Sequence, residues 1–390
     1  MPPTQTRINS IDLLRGIVMI IMALDHTRDF FHITAWTDDP LNLATTTPAL
    51  FVTRWITHLC APTFVFLSGT SAFFVSLRRS KKALSLFLLT RGLWLIVVEV
   101  VIMTLGITFD IHYDMIILQV IWAIGISMVI LSGIVWLPFS VIIAIGVIIV
   151  AGHNSLDYID GNPNATFPRI YRLLHLPGIV AVGGQQLMIF YPFLPWTGVM
   201  ILGYCFGKYY LADVMNRHKR SLLLGISLLL LFVVLRFANG YGDPTPWSSQ
   251  HSGLYTFFSF IKTQKYPPSL MYLCVTIGIS LVVLGLIDDA KGKVADFIIV
   301  YGRVPLFYYV LHFYILHFVC TIVFLMHGHT VEEGMRGLPG AELKFTAPGE
   351  GYGLAIVYLI WISVVVLLYP LCKWYADYKK NHRQWWLSYI

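Results

Sequence analysis

Long apolar stretches are the feature that most constrains this 390-residue chain. They recur along its whole length, and each has roughly 20 residues, enough for a helix to cross a hydrocarbon core about 30 Å thick. Because a backbone in lipid must satisfy its own hydrogen bonds, helices are the expected spanning element. The sequence therefore predicts an all-α, polytopic integral membrane bundle of about ten spans. The predicted spans are 11–31, 51–77, 86–107, 113–131, 134–151, 187–207, 221–238, 266–287, 297–326 and 351–372.

Composition excludes an ordinary water-soluble domain. Hydrophobic residues make up 57% of the chain and charged residues 12%, and the mean hydropathy is +0.72. These values leave too few polar side chains for a solvated surface. No repeat or low-complexity tract divides the chain, so we expect one transmembrane domain over residues 1–390. The first apolar segment has internal charges and no small-residue cleavage site after it, so no signal peptide is expected.

The five cysteines lie in or beside apolar spans at irregular spacing, without a C-x-x-C pair. We expect them to be small core residues rather than disulfides or zinc ligands. They are Cys60, Cys205, Cys274, Cys320 and Cys372.

Positive charge is distributed unequally between alternate connections, and cytoplasmic loops are the ones that retain Lys and Arg. Both termini are therefore predicted to be cytoplasmic, with 152–186, 239–265 and 327–350 outside. This bias also explains most of the net charge of +7 without a nucleic-acid partner. The richer set has fifteen residues: Arg7, Arg78, Arg79, Lys81, Lys82, Lys208, Arg217, Lys219, Arg220, Lys291, Lys293, Lys373, Lys379, Lys380 and Arg383. The opposite set has six: Arg169, Arg172, Lys262, Lys265, Arg336 and Lys344.

The first span carries an unusual number of ionisable residues. Arg15 and His26 are eleven positions apart, so on a helix they share a face at a separation of about 16 Å. Placing an arginine or aspartate within a span costs about 2.5–3.5 kcal/mol on insertion scales, so such groups usually face a protein interior or a water-filled cavity. We expect this face to point into the bundle. Its members are Asp12, Arg15, Met19, Met22, His26 and Asp29.

Two interpretations of this cluster are open. In the first, His26 is a general base, and Asp25 or Asp29 fixes its tautomer and stabilises the imidazolium. In the second, Asp25 pairs with Arg28, Arg28 lies beside His32, and the group only marks the outer membrane interface.

Several motifs resemble known families. The R-x10-H spacing of Arg15 and His26 resembles a signature of transmembrane acyltransferases that modify bacterial surface polysaccharides. The segment 10–16 (SIDLLRG) resembles the start of the heparan-α-glucosaminide N-acetyltransferase catalytic domain. Further similarity to bacterial members of that second family follows in the family's order, in 61–69 (APTFVFLSG), 191–203 (YPFLPWTGVMILG), 265–269 (KYPPS) and 302–312 (GRVPLFYYVLH).

The resemblance implies acetyl transfer from cytosolic acetyl-CoA to an acceptor on the far side, with a histidine as the central catalyst. The chain departs from the lysosomal enzyme, which has asparagine where His26 stands and its catalytic histidine about eleven residues later, at the position of Thr37. The family's aspartate in span 2 corresponds to His58. These departures leave His26 as the first candidate, with His32 and His58 in reserve.

Other side chains are candidates for binding. Arg15 and Arg303 could hold a phosphate of coenzyme A, although a positive residue at a cytoplasmic helix end such as Arg303 also fits simple snorkelling. For the acceptor, lysine, hydroxyl, histidine and aromatic groups are the chemically suitable types. These candidates are His58, Lys265, Ser269, Trp196 and His312. No metal is expected, because His327 and His329 lack a carboxylate-rich motif.

Together these observations predict an inner-membrane acyltransferase that moves an acetyl group from acetyl-CoA to an amino or hydroxyl group of an extracytoplasmic sugar or glycan. Transfer would be direct or through an acetylated histidine. The expected partners are acetyl-CoA, the acceptor and the lipid bilayer, a homodimer being left open. The alternative is a proton-coupled transporter or flippase of a sugar or lipid-linked substrate, with the charged cluster relaying protons. Against it, the sequence has no paired halves with matching interrupted spans.

Overall fold

The computed structural model describes residues 8–161, 166–211, 213, 215–339, 343–382 and 384–388. The described chain is mostly helical. Its helices are α1 Asn9–Phe31, α2 Pro48–Thr57, α3 Cys60–Ser76, α4 Lys81–Val97, α5 Thr104–Thr108, α6 Val120–Ile134, α7 Phe139–Gly152, α8 Asp157–Asp160, α9 Arg169–Leu174, α10 Phe193–Leu211, α11 Arg217–Ala238, α12 Gly253–Ile261, α13 Leu270–Leu286, α14 Lys293–Arg303, α15 Pro305–Met326, α16 Val331–Arg336 and α17 Leu354–Asn381. A π-helical segment, Val98–Met103, joins α4 to α5, and 3₁₀ turns occupy His153–Leu156 and Trp385–Ser388.

Several helices have the length and apolar composition that a membrane span needs. Six such helices occur in the described residues, and α6 and α13 are shorter apolar helices. The prediction of a helical protein with membrane-length apolar helices is confirmed, whereas about ten spans and cytoplasmic termini stay predictions. The six are Pro48–Ser76, Lys81–Thr108, Phe139–Asp160, Arg217–Ala238, Pro305–Met326 and Leu354–Asn381.

A small sheet corrects the all-α prediction. Its strands are β1 Met115–Leu118, β2 Gly178–Val182 and β3 Gln185–Ile189, in the order β1-β3-β2. β3 pairs in parallel with β1 and antiparallel with β2. Predicted spans 113–131 and 187–207 therefore begin with strands, and their helices start only at Val120 and Phe193. A short apolar run has no periodicity that distinguishes a strand from a helix, which explains the error.

A second boundary differs at Pro305. Predicted span 297–326 is two helices, α14 and α15, separated at Val304, whose backbone is not helical. Proline lacks an N–H and disfavours helical backbone in the residue before it, so the chain turns here and restarts with Pro305 in the first turn of α15. This turn brings the end of α14 beside the start of α1.

Helix α1 lies at the centre of the bundle, packed against α3, α14, α15 and α17. Its contact with α14 depends on glycine from both helices. A Cβ at Gly16 would lie 2.1 Å from the Ile298 carbonyl oxygen, and one at Gly302 would lie 1.8 Å from the Asp12 carbonyl oxygen. Small residues allow this close helix approach. On the predicted face, Asp12, Met19 and Met22 are buried, and Arg15, His26 and Asp29 are half-buried.

The segment 343–352 covers the end of α1 that carries His32. Tyr352 donates its N–H to the Phe31 carbonyl at 2.7 Å, and the Ile33 N–H donates to Tyr352 at 3.0 Å. This pairing places Leu343 and Thr346, both buried, over the last turn of α1. The charged end of α1 is thereby partly covered by protein, and Asp29 and His32 are half-buried.

Candidate active site

Two cavities lie close together, because Tyr309 in the wall of one is hydrogen-bonded to Gln119 in the wall of the other. The wall of the first, which we call the histidine cavity, includes Asp25, His26, Asp29, Arg54, Gln119 and Lys265. The wall of the second, which we call the arginine cavity, includes Arg15, Met19, Met22, Arg91 and Tyr309. The face of α1 predicted from spacing thus contributes to both cavities.

His26 is hydrogen-bonded to another histidine. Its Nδ1 lies 2.6 Å from Nε2 of His312, and Nδ1 of His312 lies 3.0 Å from the Tyr308 carbonyl oxygen. Only an N–H can face a carbonyl, so His312 donates from Nδ1 and accepts at Nε2. His26 must then donate from Nδ1, which leaves the lone pair on its Nε2. The ring of Phe313, with its centroid 4.0 Å from that of His26, packs against the same imidazole.

The two neighbouring aspartates point to cations instead of His26. Asp25 accepts a hydrogen bond from Arg54 and lies 3.1 Å from Arg28 and 3.9 Å from Lys265. Asp29 accepts a hydrogen bond from Arg28. The predicted Asp–His contact is therefore absent from the described residues, and His312 occupies its place. The Asp25–Arg28 pair of the second interpretation is present, but it lies beside a cavity.

The charges around the histidine cavity do not cancel. Arg28, Arg54 and Lys265 supply three positive groups against the carboxylates of Asp25 and Asp29. All of these side chains except Asp29 are largely buried, and each is paired with an opposite charge, as a buried charge requires. The excess of one positive charge can attract an electron-rich ligand.

Gln119 and Tyr309 form the boundary between the cavities. The Tyr309 hydroxyl donates to Oε1 of Gln119 at 3.4 Å, and each residue lines a different cavity. Gln119 lines the histidine cavity, and within the described residues its Nε2 hydrogens form no hydrogen bond. The sequence analysis missed this pair. Two features of the sequence could have indicated it: Gln119 is a single amide within an apolar run, and Tyr309 lies within the motif 302–312.

Buried Glu99 determines where Gln119 lies. Its carboxylate accepts the backbone N–H groups of Gln119 at 2.8 Å and Trp122 at 3.1 Å, at the start of α6. The N-terminus of a helix favours a negative charge because its N–H groups lack intrahelical partners. Glu99 belongs to the π-helical segment Val98–Met103, a type of distortion frequent at functional sites.

The two predicted phosphate-binding residues are placed differently. Arg15 lines the arginine cavity and donates to Asp12 at 3.1 Å, to Ser71 at 2.9 Å and to the Gly302 carbonyl at 3.1 Å. Arg303 is half-buried at the end of α14 and does not contribute to that wall. Arg91, which the prediction did not include, does contribute to it.

Of the predicted acceptor-binding residues, Lys265 reaches the wall of the histidine cavity and His312 lies behind His26. His58 is buried and packs on Tyr272, with ring centroids 5.4 Å apart. It does not line the cavity, and its carbonyl accepts from the Tyr272 hydroxyl at 2.8 Å.

Ser269 and Trp196 also lie off the cavity wall. Ser269 is fully buried, where it caps α13 and donates to Asp243 at 2.7 Å. Trp196 is fully buried against Tyr191, with ring centroids 5.1 Å apart, and so has no face open to a sugar. Tyr191 and Tyr266 provide aromatic rings in the wall instead.

The reserve position His32 faces a different region. Its Nδ1 lies 3.0 Å from the Thr34 hydroxyl, and His32 lines a polar cavity with Arg28, Trp36 and Asp38. Thr37 lies in the turn that follows. Among the three candidate histidines, only His26 contributes to the histidine cavity.

Comparison with known families agrees with the geometry. Residues 7–236 match the family model described as heparan-alpha-glucosaminide N-acetyltransferase, catalytic. The match includes His26, Glu99 and Gln119. Comparison with curated proteins gives no match.

Proposed function

Because the chain belongs to the heparan-α-glucosaminide N-acetyltransferase catalytic family, we propose that it moves an acetyl group from cytosolic acetyl-CoA to an amino or hydroxyl group of an extracytoplasmic sugar or glycan. The membrane would be the bacterial inner membrane. The observation that carries the proposal is that His26, whose Nδ1–H is bonded to His312, lies in the wall of one cavity, while Tyr309, with its ring centroid 6.1 Å from that of His26, lies in the wall of the other.

The arginine cavity suits the donor. Its wall is mostly apolar, with Arg15 and Arg91 as its cationic groups among the described residues. Guanidinium groups bind phosphates, and an apolar channel fits a pantetheine arm. With its phosphates near Arg15, acetyl-CoA would extend past Met19 and Met22, so that the thioester reaches Tyr309 and the nucleotide need not cross the membrane.

His26 is the reacting base in this proposal. In direct transfer, Nε2 removes the proton of the acceptor amine or hydroxyl as the acceptor attacks the thioester carbonyl, and the thiolate of coenzyme A leaves. In the two-step route, Nε2 attacks the carbonyl itself and expels the thiolate of coenzyme A; the acceptor then attacks the acetyl group on the ring, loses its proton to the released thiolate, and leaves Nε2 free again. In both routes the Nδ1–H of His26 remains bonded to His312, which holds the ring in orientation.

Gln119 is suited to stabilise the tetrahedral intermediate. The attacked carbonyl oxygen becomes negative, and a fixed donor aimed at that position lowers the barrier. Tyr309 occupies Oε1 of Gln119, so the Nε2 hydrogens remain for the oxyanion. Glu99 holds the backbone of Gln119 in place, which reduces the reorganisation needed during reaction.

The histidine cavity suits the acceptor. Lys265 and Arg54 present positive charge, and Tyr191 and Tyr266 present rings on which a sugar can pack. A sugar bound there would bring its amine or hydroxyl to Nε2 of His26 from the side opposite the donor.

Purified protein in detergent, mixed with radiolabelled acetyl-CoA and a panel of amino sugars and glycans, tests the proposal. We expect labelled acetyl-sugar and an equal amount of free coenzyme A thiol. Proteoliposomes containing labelled sugar test the alternative. Passage of unmodified sugar across the membrane, with no thiol released under any condition, would support a transporter or flippase and overturn the enzyme.

A further inference from the structure

A second cluster of ligating side chains lies away from the transfer site, where the chain leaves α7. Asp157, Asp160 and His175 each offer one ligand atom, and these atoms lie within 4.8 Å of one another. None of the three lines the histidine or arginine cavity. We propose that they bind one divalent transition-metal ion, with zinc as the ion to test. Carboxylate oxygen and imidazole nitrogen are ligands that zinc accepts.

Each of the three side chains is oriented by a separate outer partner. Asn154 donates to Oδ2 of Asp157 at 2.6 Å, and the Tyr171 hydroxyl donates to Oδ1 of Asp160 at 2.7 Å. Nε2 of His175 lies 3.2 Å from Nδ1 of His153. Metal sites characteristically have such outer hydrogen bonds, which fix the orientation and tautomer of the ligands.

The two histidines form a hydrogen-bonded pair behind the cluster. His153 is 3% exposed, its Nδ1 faces Nε2 of His175, and its Nε2 has no hydrogen-bond partner among the described residues. Nδ1 of His175 lies 2.7 Å from Oδ2 of Asp160, and without an ion a proton on Nδ1 joins these two atoms. A zinc ion would displace that proton and bind the Nδ1 lone pair, while the Nε2–H of His175 donates to His153.

Electrostatics favours an ion at the same place. Asp157 and Asp160 bring two carboxylates together, and within the described residues neither forms an ion pair with a lysine or arginine, while Asp160 pairs with His175. Like charges this close repel, and a divalent cation balances both.

The ion would connect two parts of the fold. Asn154, the outer partner of Asp157, also accepts the N–H of Leu270 at the start of α13 through its Oδ1, at 2.8 Å. Helix α13 follows directly after the segment that carries Lys265 into the histidine cavity. Bound zinc would therefore hold α8 and α9 together and stabilise the contact with α13.

The test uses the whole protein in detergent, stripped with a chelator and titrated with zinc against a chromophoric competitor. We expect one equivalent to bind and the thermal unfolding temperature to rise with zinc. His175→Gln and Asp157→Asn should each weaken binding more than about a hundredfold, and His153→Ala by about ten- to a hundredfold, as for outer partners.

His329→Gln is the matched control, because His327 and His329 both contact Glu350 and form the other histidine–carboxylate group. It should leave binding unchanged. Absence of stoichiometric zinc binding by the wild-type protein would overturn the proposal. So would zinc binding that survives undiminished in folded His175→Gln and Asp157→Asn. If one variant does not fold, the other decides, and neither result depends on acetyl transfer.

Discussion

In the proposed reaction, the position of the proton on the His26 ring decides which of its two nitrogens can act as the base. The hydrogen bond to His312 keeps a proton on Nδ1, and the Tyr308 carbonyl in turn fixes the tautomer of His312. This chain of two bonds does the orienting that a carboxylate does in many histidine sites. A neutral imidazole such as His312 stabilises a protonated His26 ring less than a carboxylate would. Asp25 is bonded to arginine, so it can stabilise that charge only by electrostatic attraction at a distance.

Replacement of His26 by alanine should abolish acetyl transfer. Loss of general base catalysis alone lowers kcat by about 10²–10⁴-fold, and loss of a covalent carrier costs more. His312→Ala should lower kcat less, and His312→Gln should restore part of it, because the amide oxygen can still accept from Nδ1. Initial rates with saturating acetyl-CoA measure all three. Equal activity of His312→Ala and the wild type would remove His312 from the site.

A change of Gln119 to glutamate tests the oxyanion role. The carboxylate keeps the shape of the side chain but has no hydrogens to donate, so kcat should fall by about 10²–10³-fold with little change in the KM for acetyl-CoA. Gln186→Glu, the same change at an exposed position of β3, is the control and should be neutral. A matched loss in both variants would indicate a general charge effect and contradict the assignment.

The candidate site could be predicted in part from the sequence. His26 stands out because charges in a span need a protein or water environment. Its partner could not be predicted, since Asp25 and Asp29 are near His26 in sequence, whereas His312 is 286 positions away. Consecutive helical residues diverge by about 100°, so Asp25 faces α2 and its Arg54 instead.

At the level of elements, the contact between α1 and α14 positions Arg15, the proposed phosphate-binding residue. Gly302 lets α14 approach the Asp12 carbonyl, and its own carbonyl accepts from Arg15. Gly302 belongs to the motif 302–312, but its contact with α1 could not be predicted from the sequence, because the contact depends on the turn at Val304. The apolar character of 113–131 is also evident in the sequence, but strand β1 within it forms only by pairing with β3, which is distant in the chain.

Gly302→Ala should separate these two helices. A Cβ 1.8 Å from a carbonyl oxygen cannot be accommodated without movement, and overpacking of this kind typically costs about 1–3 kcal/mol or more. The thermal unfolding temperature in detergent should fall, and the KM for acetyl-CoA should rise as Arg15 is displaced. Gly133→Ala is the control, since nothing lies within 4 Å of its added Cβ. A similar unfolding temperature for both variants would contradict the close contact.

For the whole molecule, the charge bias predicts which loops face the cytoplasm. Four of the native cysteines are buried and Cys205 is half-buried, so after Cys205→Ala single new cysteines should label selectively. Lys82→Cys and Lys219→Cys should be protected from an impermeant maleimide added outside intact cells. Arg169→Cys, which is exposed, and Lys344→Cys should react. Labelling of position 82 from outside would reverse the orientation.

The thin layer between the two cavities, formed by His26, Phe313, Tyr309 and Gln119, also gives the molecule an electrical property. Across an energised membrane, each elementary charge gains about 2.3 kcal/mol per 100 mV, so a continuous water column would short-circuit the proton gradient. The packed aromatic rings would act there as an electrical insulator. In the proposed reaction one imidazole would pass a neutral acetyl group across this layer, whereas a hydrated ion would have to shed its water.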